Sequence, residues 1–184
     1  MARVSPDQMR FLQSQEIPLS RVFDASGMSR SSYEAAMIEL EMIVAVGVSA
    51  CKKGGHTLRT SAGHCAQCNT HALSFLLRHY EAGEVYVAVS AQIGLVKIGT
   101  GKNAQARMHT LNKFGYGGAT DWTLHAIHAC NKAGRIEFLA QKMLNVHRTS
   151  RRYIKNGNTV ECQELFNCSV SAAATAVLAA LNQV

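Results

Sequence analysis

Three cysteines and one histidine crowd into eighteen positions: Cys51, His56, Cys65 and Cys68, spaced C-x4-H-x8-C-x2-C. The segment around them is polar and too short to bury a core, so something other than apolar burial must fold it. The two-residue gap between Cys65 and Cys68 lets two thiolates grip one tetrahedral ion, and Cys51 with His56 completes the set. The expectation is a structural Zn²⁺ site whose binding free energy folds the segment. Four protein ligands leave no open position for chemistry. His64 and His71 compete with His56 for the fourth place. Cys130, Cys162 and Cys168 have no ligand spacing and read as core thiols.

This knuckle, residues 49–72, separates two dissimilar stretches. In 1–48, apolar residues fall at helical spacing around Leu12 and again at Leu19, Val22 and Phe23. A turn follows at Ser26-Gly27-Met28, with Ser29 placed as an N-cap, and then Tyr33, Met37 and Leu40 form an apolar stripe. Helix, glycine-containing turn, helix is the pattern of a helix-turn-helix. On that reading Arg30 and Ser31 open the second helix, where a recognition helix meets base edges. The competing reading is a helical hairpin that packs on the rest of the chain. Met42–Val48 reads as a strand or wing, and residues 73–82 as a helical connector.

Residues 83–184 carry the charge asymmetry. Of 184 residues, 19 are Lys or Arg and 12 Asp or Glu. The first 82 residues are nearly balanced, and the rest hold 11 cations against 5 anions. A basic field of that kind points to a polyanion, most simply nucleic acid. The N-terminus lacks the apolar core of a signal peptide, and no apolar run approaches the roughly 18 residues of a membrane span. A cytoplasmic location without a membrane partner is therefore expected.

The pattern in 83–184 is α/β. Gly83–Ser90 alternates as a strand, and Leu95–Gly99 is a second strand after a tight turn, so Tyr86 and Lys97 can share one face. A helix over 103–113 carries Arg107 on its shoulder, with Lys102 and Lys113 at its ends. Trp122–Cys130 is a third strand. A helix over about 132–147 places Glu137 at the edge of its apolar stripe, where a carboxylate needs a partner or a metal. The glycine-rich run 112–122 reads as a substrate-side loop with aromatics for base stacking. Residues 147–155, with Arg148, Arg151, Arg152 and Tyr153, read as a phosphate track or a solvated loop.

The order of Tyr86, Lys97-Ile98-Gly99, Arg107 and Glu137 resembles the GIY-YIG nuclease superfamily over about 83–168. It looks most like the phage-associated branch in which lysine replaces the second tyrosine and a Glu precedes an aromatic, as in Glu164-Leu165-Phe166. The resemblance implies a small mixed or antiparallel three-stranded sheet flanked by helices, and a metal-dependent endonuclease acting on DNA. Glu137 would hold Mg²⁺ or Mn²⁺, both hard ions that prefer carboxylate oxygen. Tyr86 would position or deprotonate the attacking water, Lys97 would do part of the second tyrosine's work, and Arg107 would clamp the scissile phosphate. His109 and Glu164 are additional candidates, Glu164 either as a second carboxylate near the metal or as a surface charge. The resemblance also implies a bacterial or phage-infected host. The alternative is a DNA-binding regulator whose nuclease fold has decayed.

Overall fold

The computed structural model describes residues 4–184. Six helices and eight strands divide into two compact units, the boundary falling between Leu77 and Arg78. Among the described residues no helix is long and apolar enough to cross a membrane.

In the first unit, helix α1 (Pro6–Ser14) begins in a capping box. The Ser5 hydroxyl accepts from the Gln8 backbone N–H, and the Gln8 side chain accepts from the Ser5 N–H. Strand β1 (Val22–Asp24) lies parallel to β2 (Val44–Val46), which pairs antiparallel with the short β3 (Arg59–Thr60). Helix α2 (Arg30–Glu39) starts at Ser29, whose hydroxyl accepts from the Ser32 N–H, and buries Tyr33 and Met37. The helices expected around Leu12 and over Tyr33–Leu40 are present, but the helix expected through Leu19, Val22 and Phe23, ahead of the Gly27 turn, is not. Leu19 lies exposed in a 3-10 turn, and Val22 and Phe23 form β1. The spacing of Leu19, Val22 and Phe23 fits a helix face. The β-branched and aromatic pair instead finds an extended partner in Val44–Val46, also rich in valine.

Helix α3 (Thr70–Tyr80) leads into the second unit, an antiparallel sheet of five strands in the order β6-β4-β5-β8-β7. These are β4 (Gly83–Ser90), β5 (Leu95–Gly101), β6 (Thr123–Cys130), β7 (Arg148–Lys155) and β8 (Asn158–Phe166). The α/β class stands as expected, and the sheet is two strands wider than three. The basic run read as a loop or track is β7, turned into β8 by Asn156-Gly157. Both turn residues have positive φ, +51° and +77°, as a two-residue hairpin of this hand needs. Exposed cations masked the alternation of Tyr153, Val160 and Cys162, which face inward.

One face of the sheet is covered by α5 (Ala133–Met143) and α6 (Val170–Leu181), burying Val85, Val87, Val96, Ile98, Ile136 and Val177. The other face, covered by α4 (Ala104–Lys113) and the 114–122 segment, buries Tyr86, Met108, Leu111, Tyr116 and Trp122. Cys162 is buried, and Cys130 and Cys168 pack at the edge of the first cluster, as core thiols.

Strand β8 pairs with β5 only at Val96 and Lys97. Past that point the carbonyl of Ile98 accepts from Gln141 Nε2 on α5, at 3.2 Å. The sheet is thus notched beside Ile98, and through this notch α5, which belongs to one face, reaches side chains of the other.

Candidate active site

A cleft of about 330 Å³ opens at the notch, and Tyr86, Lys97, Arg107 and Glu137 all line it. Strand register explains the first two. Tyr86 pairs with Gly99 and Lys97 with Ala88, so alternation puts both side chains on the same face of adjacent strands. Tyr86 is almost wholly buried, and its phenol lies over Gly99. A Cβ at position 99 would overlap the ring and hydroxyl, so glycine is what lets the tyrosine lie there.

Lys97 is buried to 1% exposure. It forms an ion pair with Glu164, and its Nζ stands 5.1 Å from the Tyr116 ring centroid. Burial alone would push the ammonium pKa down. The neighbouring Tyr86, Glu164 and Tyr116 outweigh that and hold it above the ordinary lysine range. Burial works against ionised Glu164 too, but Lys97, with help from Arg107 and Arg148, holds its carboxyl below the ordinary range. Glu164 lines the cleft, with its side chain nearly half exposed.

Glu137 projects from α5, steadied by Gln141 Nε2, which donates to its Oε1 at 3.2 Å. Burial, and then the charge of Glu164, raise its pKa to about 7 against the pull of Lys97, Arg107 and Arg78. A half-buried carboxylate held by one amide and facing a carboxylate neighbour is a site that gains from a cation. Glu137 fits a hard divalent ion in donor type.

Arg107 reaches the cleft from the exposed side of α4, and Lys102 stands at its rim. Arg148, Arg151 and Arg152 are exposed on β7. Of these, Arg148 caps the Gln163 carbonyl at 2.8 Å and lies 5.3 Å from the Phe166 ring centroid. Lys113 ends α4 beside Phe114. His109 lies outside the cleft, in a separate depression with Trp122 and Asn112.

Two of the three aromatics in the 112–122 segment turn inward, and only Phe114 is partly exposed. Asn112 clamps the Trp122 backbone through both side-chain atoms, at 2.7 and 3.0 Å. The Trp122 indole N–H donates to the Tyr116 carbonyl, and both rings are buried. Tyr153, read as a stacking platform, is half-buried 5.2 Å from the Tyr116 ring. These aromatics underpin Lys97 instead of facing solvent.

Sequence reasoning missed Arg78 and Glu81, which also line the cleft. They belong to the connector ahead of the first strand. The only signal available was their closeness in sequence to the strand that carries Tyr86.

In the first unit, Cys51, His56, Cys65 and Cys68 gather with all four ligand atoms within 4.8 Å of one another. The Cys51 and Cys68 sulfurs are 3.7 Å apart, and His56 Nδ1 lies 3.2 Å from Cys68 Sγ and 3.7 Å from Cys65 Sγ. Tetrahedral ligands at zinc bond lengths stand roughly 3.5–3.8 Å apart, so this cluster could hold zinc. The backbone N–H groups of Gly54 and Cys68 point at the sulfurs of Cys51 and Cys65. His56 is the gathered histidine, and His64 and His71 lie outside the cluster. Arg30, at the start of α2, is ion-paired with Glu34, and the Ser31 hydroxyl lies 3.2 Å from that of Ser29.

Residues 83–181 fit the model of the T5orf172 domain. No curated protein and no solved structure matches the chain.

Proposed function

Because the chain belongs to the T5orf172 domain family, a phage-associated domain found in nuclease-like proteins, we propose that it is a divalent-metal-dependent endonuclease of the GIY-YIG type that hydrolyses phosphodiester bonds in DNA. The observation that carries this reading is the convergence of Tyr86, Lys97, Arg107 and Glu137, from two strands and two helices, on one cleft. A second carboxylate, Glu164, lines the same cleft and supports the reading.

In the reaction, water attacks phosphorus and the bond to the 3′ oxygen breaks. Glu137 would hold Mg²⁺ or Mn²⁺, and such an ion would supply positive charge for the phosphate and the leaving oxygen. Tyr86, fixed against Gly99, presents its hydroxyl to the attacking water. Lys97 is too buried to leave its ion pair with Glu164, so it acts as a fixed positive charge on the sheet face that carries Tyr86, while the proton lost by the attacking water passes to solvent and one returns to the leaving 3′ oxygen. Arg107, on the exposed side of the cleft, binds the scissile phosphate through its planar fork. Lys102, Lys113, Arg148, Arg151 and Arg152 bind flanking phosphates, and Arg30 and Ser31 on α2 contact nucleic acid from the first unit. Zn²⁺ on Cys51, His56, Cys65 and Cys68 holds the knuckle in shape.

The test is cleavage of labelled single- and double-stranded DNA with magnesium, with manganese, or with neither. Cleavage should require the ion and vanish in Glu137→Ala. Tight, salt-sensitive binding without cleavage under all these conditions would instead establish the regulator reading.

A further inference from the structure

The cleft has a wall that the family domain does not contain. Arg78 lies ahead of the matching segment 83–181, on the last turn of α3, yet it lines the cleft with Tyr86, Arg107 and Glu137. Its position is fixed by the close approach of its own backbone, in the second unit, to the start of α5. A Cβ at Gly134 would stand 2.7 Å from the Arg78 carbonyl oxygen and 2.9 Å from the His79 Cα. Only glycine lets the two helices touch at that point. The Ala133 N–H donates to the Glu81 carbonyl at 3.0 Å, and the His79 and Phe138 rings meet edge to face. Arg78 is thus held against the first turns of the helix that carries Glu137, and its charge acts on that carboxylate as the charge of Arg107 does.

The rest of the cleft shows what such a cation is for. Lys97 is committed to Glu164. Gly101 lines the cleft with open space where a side chain would stand, so a chain of phosphates and sugars can come close to the end of β5. Arg107 approaches from α4 and Arg78 from α3. A guanidinium has five N–H donors, so a partner within the fold does not use up its capacity to bind a phosphate oxygen.

We propose that Arg78 is a second phosphate-binding arginine of this cleft, contacting the DNA backbone from α3 as Arg107 does from α4. The functional nuclease unit then begins within the connector helix, before the family domain. This inference rests on the nuclease reading above, in that the bound polyanion is taken to be DNA.

The test uses the full chain and the salt dependence of binding. A labelled duplex and its isolated strand are titrated without added magnesium or manganese, so that no cutting occurs. Each phosphate contact contributes about 0.9 to the slope of log affinity against log salt for duplex, or about 0.7 for single strands. Arg78→Ala should flatten the slope by about that amount on the form that binds tighter, whereas Arg78→Lys, which keeps the charge, should leave it unchanged. With magnesium present, cleavage by Arg78→Ala should fall about 10- to 100-fold in kcat/KM.

An unchanged slope in Arg78→Ala overturns the proposal even if the variant melts earlier, since that marks a purely structural role of the α3–α5 contact. It is equally overturned by an unchanged slope with a lower magnesium requirement, which marks a charge that merely tunes Glu137. The nuclease reading fails separately. A wild type that binds but never cuts removes it, while the slope still decides Arg78. A wild type that binds neither probe removes both.

Discussion

Gly99 is the residue on which the cleft is most sensitively built. The phenol of Tyr86 occupies the space where a Cβ would be, so Gly99→Ala should displace the hydroxyl while leaving the strands paired. Cleavage should drop by about 100-fold, the size of effect a misplacement of about 1 Å produces. Circular dichroism should stay native. Glu137 gives a prediction about pH. Its pKa lies near 7 in the fold against an ordinary value of 4.5, so the native state holds a proton that the unfolded chain has already released. Between those values stability falls as pH rises, and above about 7 the loss is complete. Without added magnesium or manganese, wild type should melt lower at pH 8 than at pH 5.5. Glu137→Gln, which never ionises, should lack that part of the decline and melt higher than wild type at pH 8. Thermal melts across pH measure both. Among single residues, Tyr86, Lys97, Arg107 and Glu137 were legible through their order along the chain, which carries the family resemblance; taken singly, only Glu137, a carboxylate at the edge of an apolar stripe, is unusual for its place. Whether Glu164 belonged to the cleft was illegible, because its partner Lys97 is 67 positions away.

At the scale of elements, the knuckle is held by its ligands more than by burial. Beside the cysteines, its apolar interior amounts to little more than Leu58 and Ala66. Cys68→Ser should reduce bound zinc from about one equivalent to near none, measured by metal analysis of the purified protein, and should make residues 49–68 sensitive to protease. Local periodicity located α2, α3, α4, α5 and the first three strands of the large sheet to within a few residues, because each carries an apolar stripe or alternation of its own. It did not find β1, whose three residues fit two periods equally. Nor did it find the hairpin of β7 and β8, whose inward pattern of Tyr153, Val160 and Cys162 is diluted by exposed charges on the outward positions. The 112–122 segment misled for a related reason. Glycine and aromatics together look like a binding loop, but Gly115, Gly117 and Gly118 adopt positive φ so that Tyr116 and Trp122 can turn inward.

For the molecule as a whole, the excess of cations in the second unit makes salt the most informative variable. Arg151 and Arg152 stand exposed on the edge strand, and the double variant Arg151→Ala/Arg152→Ala should flatten the salt dependence of duplex binding by up to about 1.8 without altering the magnesium requirement. Equilibrium titrations from low to moderate salt read this directly. The charge imbalance was legible from composition alone. Its arrangement was not, because that depends on which strand forms the sheet edge. The notch in the sheet has a consequence for how the protein is made. The ion pair that seats Lys97 joins β5 to a strand that follows it by 67 positions, and Glu137 reaches the cleft only past the point where that strand stops pairing. A ribosome releasing the chain from its N-terminus delivers Tyr86, Lys97, Arg107 and Glu137 well before Glu164. The nascent chain therefore carries every candidate catalytic side chain for a time without the cleft that aligns them, and it becomes competent only when its last strand closes.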